Sequence, residues 1–311
     1  MFDRRHLLRL AVATPIAGIG QARAEDWRAK YPEIHFAVVP SENEAGVSTR
    51  WAPFVDYLSQ ELRVKVTIRT ANDYAALIEG QRAGNIQIGY YGPASFARAL
   101  LVGVRTDAFA QNVSRISGRG YYSVFYVLAS SPYKTIEDLK GKNLGLVDPN
   151  STSGYQVPLF TLDQMGIDPE KFFGKTVITG SHENAVTALV GGTVDVAANA
   201  WNSETQSYLQ RMLTKGMLKR PDGSAMTQAD FRIILKSPQI INGPYTYLAD
   251  LPAEMKADIR AAFFAAPTKA TAAFDRISDG ENLPFGTVDN AAYDDIVKLI
   301  KFVDALRKKR A

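Results

Sequence analysis

The chain has 311 residues, 46% of them hydrophobic and 22% charged, with a formal net charge of +4, three histidines and no cysteine. These values describe a soluble globular protein long enough for two domains. They exclude disulfides, thiolate chemistry and cysteine-ligated metals, and leave a histidine-based metal site short of ligands. No internal apolar run reaches the roughly 18 residues of a membrane span.

At the N-terminus, Arg4, Arg5 and Arg9 accompany a moderately apolar stretch over 7–20, and Ala22-Arg23-Ala24 follows as a small-x-small cleavage pattern. Residues 1–24 therefore read as an export signal. The Arg4-Arg5 pair before Leu7-Leu8 resembles a twin-arginine leader, with a general secretory signal as the alternative. Removing 1–24 lowers Lys+Arg from 36 to 32 and Asp+Glu from 32 to 31, so the mature charge is +1. The basic balance belongs mostly to the leader and gives no support for a nucleic-acid partner. The run Arg307-Lys308-Lys309-Arg310 reads as a solvated tail.

Short apolar runs then alternate with helical periodicity. Strands are predicted at 34–39, 64–69 and 86–90, and helices at 51–62, 73–83 and 94–102, the last after a Gly92-Pro93 turn. This βαβαβ order implies a parallel sheet with helices on its faces. A strong strand over 121–129 opens a second series. It continues with a short helix at 135–139 carrying a Thr-x-x-Asp cap, a strand at 143–147 and a helix at 153–165, with distortion expected at Pro158. Beyond it come a strand at 175–179, a helix at 182–190, a strand at 194–198, a helix at 203–212 and a strand at 231–236. Helices at 253–264 and 293–306 close the chain. The expected architecture is two α/β lobes, 25–121 plus 243–311 and 122–242, with a cleft between them at the carboxyl ends of the strands.

Residues 148–154 read Asp-Pro-Asn-Ser-Thr-Ser-Gly between a strand and a helix. Ser151, Thr152 and Ser153 place three hydroxyls where the free N–H groups of a helix N-terminus also point, which is an oxyanion site. The loop has no Lys or Arg, so a grip by neutral hydrogen bonds is expected. By itself such a run is an ordinary N-cap. Other polar residues follow strands in the same way: Tyr74, Tyr91 and Gly92, Tyr121, Ser181 and His182, Glu204, and Asn242-Gly243.

In order, Trp51-Ala-Pro-Phe54, Asn72-Asp-Tyr74, Tyr91-Gly92, Phe109-Ala-Gln-Asn112, Gly120-Tyr-Tyr-Ser-Val124, the Ser-Thr-Ser loop, Gly180-Ser-His-Glu183, Val194-Asp-Val-Ala197 and Lys236-Ser-Pro238 resemble the periplasmic phosphonate-binding proteins of ABC importers. That family also includes phosphite and phosphate binders. The resemblance implies a two-lobed, type II periplasmic binding protein fold, a small phosphorus oxyanion as ligand, a membrane permease as partner, and no cofactor or catalysis. It implies that Tyr74, Tyr121, Ser151, Thr152, Ser153 and His182 hold the phosphonyl oxygens. Aminoalkyl-phosphonate binders of the family add two acids for the ammonium. One position falls on Glu204 if its loop carries an insertion, or on Asn202 without one; the other falls on Gly243. An amine-bearing phosphonate is therefore not expected to be the best ligand. A long C-terminal dimerisation helix found in some relatives has no counterpart, implying a monomer. Two alternatives are a periplasmic sensor coupled to a membrane kinase, and an exported hydrolase with a serine nucleophile and His182 as base. The second lacks a Gly-x-Ser-x-Gly elbow.

Overall fold

The computed structural model describes residues 26–310; the expected export signal lies outside them. The chain begins with α1 (Trp27–Lys30), β1 (Glu33–Val38), α2 (Glu44–Leu62), β2 (Lys65–Thr70), α3 (Tyr74–Arg82), β3 (Ile88–Tyr90), α4 (Pro93–Leu101) and β4 (Thr106–Ser114). It then builds a second body from β5 (Gly120–Leu128), β6 (Asn143–Leu146), α5 (Val157–Gln164), α6 (Pro169–Phe172), β7 (Lys175–Ile178), α7 (His182–Val190), β8 (Val196–Trp201), α8 (Tyr208–Thr214), β9 (Phe231–Lys236) and β10 (Ile240–Ile241). It returns with β11 (Pro244–Leu248), α9 (Ala253–Lys269), α10 (Thr271–Arg276), β12 (Asn282–Thr287) and α11 (Asp294–Arg310).

Two six-stranded sheets result. The first has the order β12-β4-β11-β3-β1-β2; the second runs β10-β5-β8-β6-β7, with β9 on the same edge of β5 as β10. In each, three parallel strands (β1–β3, and β6–β8) adjoin an antiparallel strand that enters from the other sheet (β11, and β5). The chain thus passes between the sheets twice, after Ser114 and after Ile241.

The first lobe is packed around aromatics. Phe36, Trp51, Phe54, Tyr245 and Phe263 meet edge-on or tilted, with ring centroids 5.2–6.4 Å apart. A leaner aliphatic core of Leu144, Leu146, Leu162 and Val196 fills the second lobe. A third cluster, containing Tyr74, Phe96, Val124, Val147 and Val186, runs across both. Helix α11 also bridges them. Arg98 of α4 forms a forked pair with Asp304 at 2.6 and 2.9 Å, while Phe302 packs edge-on against Phe160 and Val303 enters the second lobe's core.

Several elements depart from their expected bounds. Helix α2 starts at Glu44, not 51, because the Asn43 side chain caps it through Gly46 N; its first two turns are too polar to show periodicity. Strands β4, β11 and β12 were not anticipated. Each mixes polar with apolar residues, and β12 carries Pro284 and a register shift. The helix expected at 203–212 starts at Tyr208, capped by Ser207. The distortion at Pro158 is a wide turn over Thr152–Gln156 ahead of α5. Proline cannot donate to the carbonyl of Gly154, which instead accepts Val147 N–H at 2.9 Å. The Ser153 carbonyl likewise accepts the Ser123 hydroxyl at 2.6 Å. The turn is thereby fastened to the sheet beneath it.

Candidate functional site

A cavity of about 150 Å³ lies between the lobes. Residues from five helix N-termini line it: Tyr74 of α3, Gly92 and Pro93 of α4, Thr152 and Ser153 of the wide turn before α5, His182 of α7, and Ser207 and Tyr208 of α8. The partial positive charge of these helix ends converges there, which suits an anion.

The structure brings Tyr74, Tyr121, Ser151, Thr152, Ser153 and His182 together around this cavity. The Ser151 hydroxyl accepts Gly154 N–H at 3.1 Å, and the Thr152 hydroxyl accepts Ala94 N–H from the opposite lobe at 2.8 Å. Each hydroxyl spends a lone pair in this way and keeps its own O–H to donate. Tyr74 OH lies 3.2 Å from Ser41 Oγ and lines the cavity together with Ser151. Burial pushes the Tyr74 phenol well above its ordinary value. Burial likewise pushes Tyr121 up to about 12, against hydrogen bonds from Thr152 and Ser153. Both phenols are therefore neutral donors.

His182 is a neutral donor too. Its Nδ1 accepts Ala200 N–H at 3.2 Å, which assigns the proton to Nε2. Its ring stacks on Tyr208 at 4.8 Å, nearly coplanar. Burial lowers its pKa from 6.5 to about 3, against a hydrogen bond with Asn199. The unfolded chain thus takes up this proton near pH 6.5, but the folded chain not until about pH 3. Stability tied to His182 is complete above pH 6.5 and falls by about 1.4 kcal/mol per unit as pH drops toward 3. Urea unfolding at pH 7 and 4.5 should show a loss about 2–3 kcal/mol larger in the wild type than in His182→Gln. Equal losses would contradict the buried neutral imidazole.

Two expectations need correction. Glu204 does not line the cavity; it is exposed beside a separate hollow with Tyr126, Gln228 and Phe231. The cause is register: β8 runs on to Trp201, and residues 202–206 close a tight turn in which Asn202 N–H bonds Gln206 O at 3.1 Å. Asn202, not Glu204, reaches the cavity wall. Trp201 turns away from the cavity and packs on Tyr122, with the Lys236 ammonium 4.2 Å from its ring centroid. The site is also not free of arginine, since Arg50 and Arg211 line it.

Sequence reading missed these arginines because helical arginines ordinarily face water. Arg50 is only 6% exposed. Its Nε and Nη2 grip Glu42 at 2.8 and 2.9 Å, and its Nη1 reaches Asp279 at 3.2 Å. Burial opposes its charge, but Glu42 and Asp279 hold its pKa above the ordinary value. Arg211 of the second lobe bonds the same Asp279 through Nε at 2.7 Å, tying the lobes together. Further ties between the lobes run from Asn43 N and Nδ2 to Glu183 Oε2 at 2.9 and 2.6 Å, and from His182 N to Ser41 O at 3.1 Å.

A family model described as "ABC transporter, phosphonate, periplasmic substrate-binding protein" matches residues 36–293. The chain belongs to this family of periplasmic substrate-binding proteins. It is 30% identical over 223 residues to the phosphonates-binding periplasmic protein of Escherichia coli, covering 70% of this chain and 61% of the relative. It is 29% identical over 200 residues to a phosphate-import protein of Mycolicibacterium smegmatis, covering 61% of this chain and 60% of the relative. The matches thus span about 60% of these curated relatives. The crystal structure of a binding-protein component of an ABC phosphonate transporter from Pseudomonas aeruginosa superposes with a TM-score of 0.72 at 28% identity, covering 89% of this chain and 87% of that one. The fold is the two-lobed type II periplasmic binding protein fold.

Proposed function

We propose that this protein captures a phosphonate or a related phosphorus oxyanion in the periplasm and delivers it, chemically unchanged and as a monomer, to the permease of an ABC importer. The observation that carries this reading is the cavity between the two lobes, ringed by helix N-termini and by neutral O–H and N–H donors from both sides. Such a ring suits a small tetrahedral anion and draws the lobes together around it. The names of the relatives support the ligand class and the compartment. Hydrolysis is disfavoured by the tautomer of His182: Nδ1 is occupied by Ala200 N–H and Nε2 carries the proton, so neither nitrogen is free to activate a serine.

Methylphosphonate, phosphite and phosphate are the first probes. Ser153→Ala and Thr152→Ala each remove a donor to a charged ligand, worth about 1.5–3 kcal/mol. Calorimetry should show affinity falling about ten- to a hundredfold in each variant for whichever probe binds. Unchanged affinity in both, or no binding of any probe by the wild type, would overturn the reading.

A further inference from the structure

The part of the cavity lined by Glu42, Arg50, Arg211 and Asn282 has a chemistry of its own. Glu42 is the one acid among the described residues lining the cavity, and Arg50 occupies both of its oxygens. Two neighbouring acceptors already hold a donor: Gln206 Oε1 takes the Ser114 hydroxyl at 2.8 Å, and Asn112 Oδ1 the Tyr245 hydroxyl at 3.1 Å. Donors, by contrast, are in surplus. Arg211 commits only Nε to Asp279, leaving its two Nη groups without a protein acceptor. Asn282, 3% exposed and paired in register with Ser114, lines the same cavity with a buried Nδ2 that has no partner. A buried ammonium here would face the Arg211 guanidinium with the Glu42 carboxylate already paired to Arg50, and a buried donor without a partner is itself unfavourable. A carboxylate resolves both deficits, and guanidinium is well shaped to receive it.

We propose that Arg211 and Asn282 form a tail subsite that selects phosphonates carrying a carboxylate, with phosphonoacetate as the simplest member, over those carrying an amine. This rests on the phosphorus-oxyanion reading above and adds the identity of the substituent.

The test is calorimetry with phosphonoacetate, methylphosphonate and 2-aminoethylphosphonate on the full mature chain. In the wild type, phosphonoacetate should bind at least tenfold more tightly than either of the others. Arg211→Gln should reduce the ratio of phosphonoacetate to methylphosphonate affinity by about tenfold. Asn282→Leu, which leaves the Arg211–Asp279 pair intact, should reduce the same ratio by a smaller factor. If methylphosphonate binds and phosphonoacetate binds no more tightly, or if the amine ligand wins, the tail subsite is wrong while the family reading stands. Equal losses for both ligands in the variants would also overturn it, since they would mean a role in closing the lobes alone. If none of the three ligands binds, the oxyanion reading fails and the tail inference falls with it.

Discussion

Arg50→Met is expected to destabilise the protein by about 3–5 kcal/mol, because it leaves the Glu42 carboxylate buried without its partner. Glu42 is 7% exposed and loses two charge-assisted hydrogen bonds at once. The same change frees Asp279 of one of its two arginines. Asp279 sits at φ 56°, in the left-handed region, so its strained backbone also loses a restraint. Urea unfolding at pH 7 measures the effect. Arg50→Met combined with Glu42→Leu should recover most of the loss, since replacing both members of a buried pair by apolar groups is often close to neutral. A single-variant loss below about 1 kcal/mol would show that Glu42 finds water or another donor.

Gly243→Ala is expected to damage both stability and binding. A Cβ at residue 243 would stand 1.9 Å from the Tyr91 carbonyl oxygen and 3.2 Å from the Gly92 Cα. The obstacle is backbone, so β11 and the end of β3 must separate. The cost should reach or exceed the ~1–3 kcal/mol of an overpacked core. Because Gly92 and Pro93 begin α4, the movement also carries Ala94 N–H away from Thr152. Affinity for methylphosphonate should fall at least tenfold, read by calorimetry beside the melting temperature. A variant with wild-type values for both would show that the contact relaxes freely. The same geometry explains why no acid stands at this position: glycine is the only residue whose size it admits, so an amine-binding carboxylate cannot be installed there by substitution.

The alternating strands and helices of both lobes were legible because their apolar runs and caps agree. The Ser-Thr-Ser turn was legible because hydroxyls cluster where a strand meets a helix. Strands β4, β11 and β12 were not, since their identity comes from their neighbours in the sheet; Thr246, wholly buried on β11, reads as polar in isolation. Glu204 was misplaced because three extra residues on β8 change which side chain of the following turn faces the cleft. Arg50, Arg211 and Glu42 could not be found by pattern. Each is ordinary on a helix or loop, and only the approach of the Asp279 turn, more than 60 residues distant in sequence from any of them, joins them into one network, buried at Glu42 and Arg50 and open to solvent at Asp279.

No residue of helix α11 lines the cavity, yet α11 is anchored to α4 on one side and, on the other, to Phe160, the second core and the Tyr155 ring of the wide turn. A link of this kind resists relative movement of the lobes, and is expected to bias any equilibrium between open and closed arrangements. The affinity observed in solution is the intrinsic affinity scaled by that closed fraction. Residues of α11 that meet α4 and the second core, such as Asp304 and Phe302, are therefore expected to act as a gain control: changes there should rescale affinity for every ligand by one common factor and leave the ranking among ligands as the cavity wrote it.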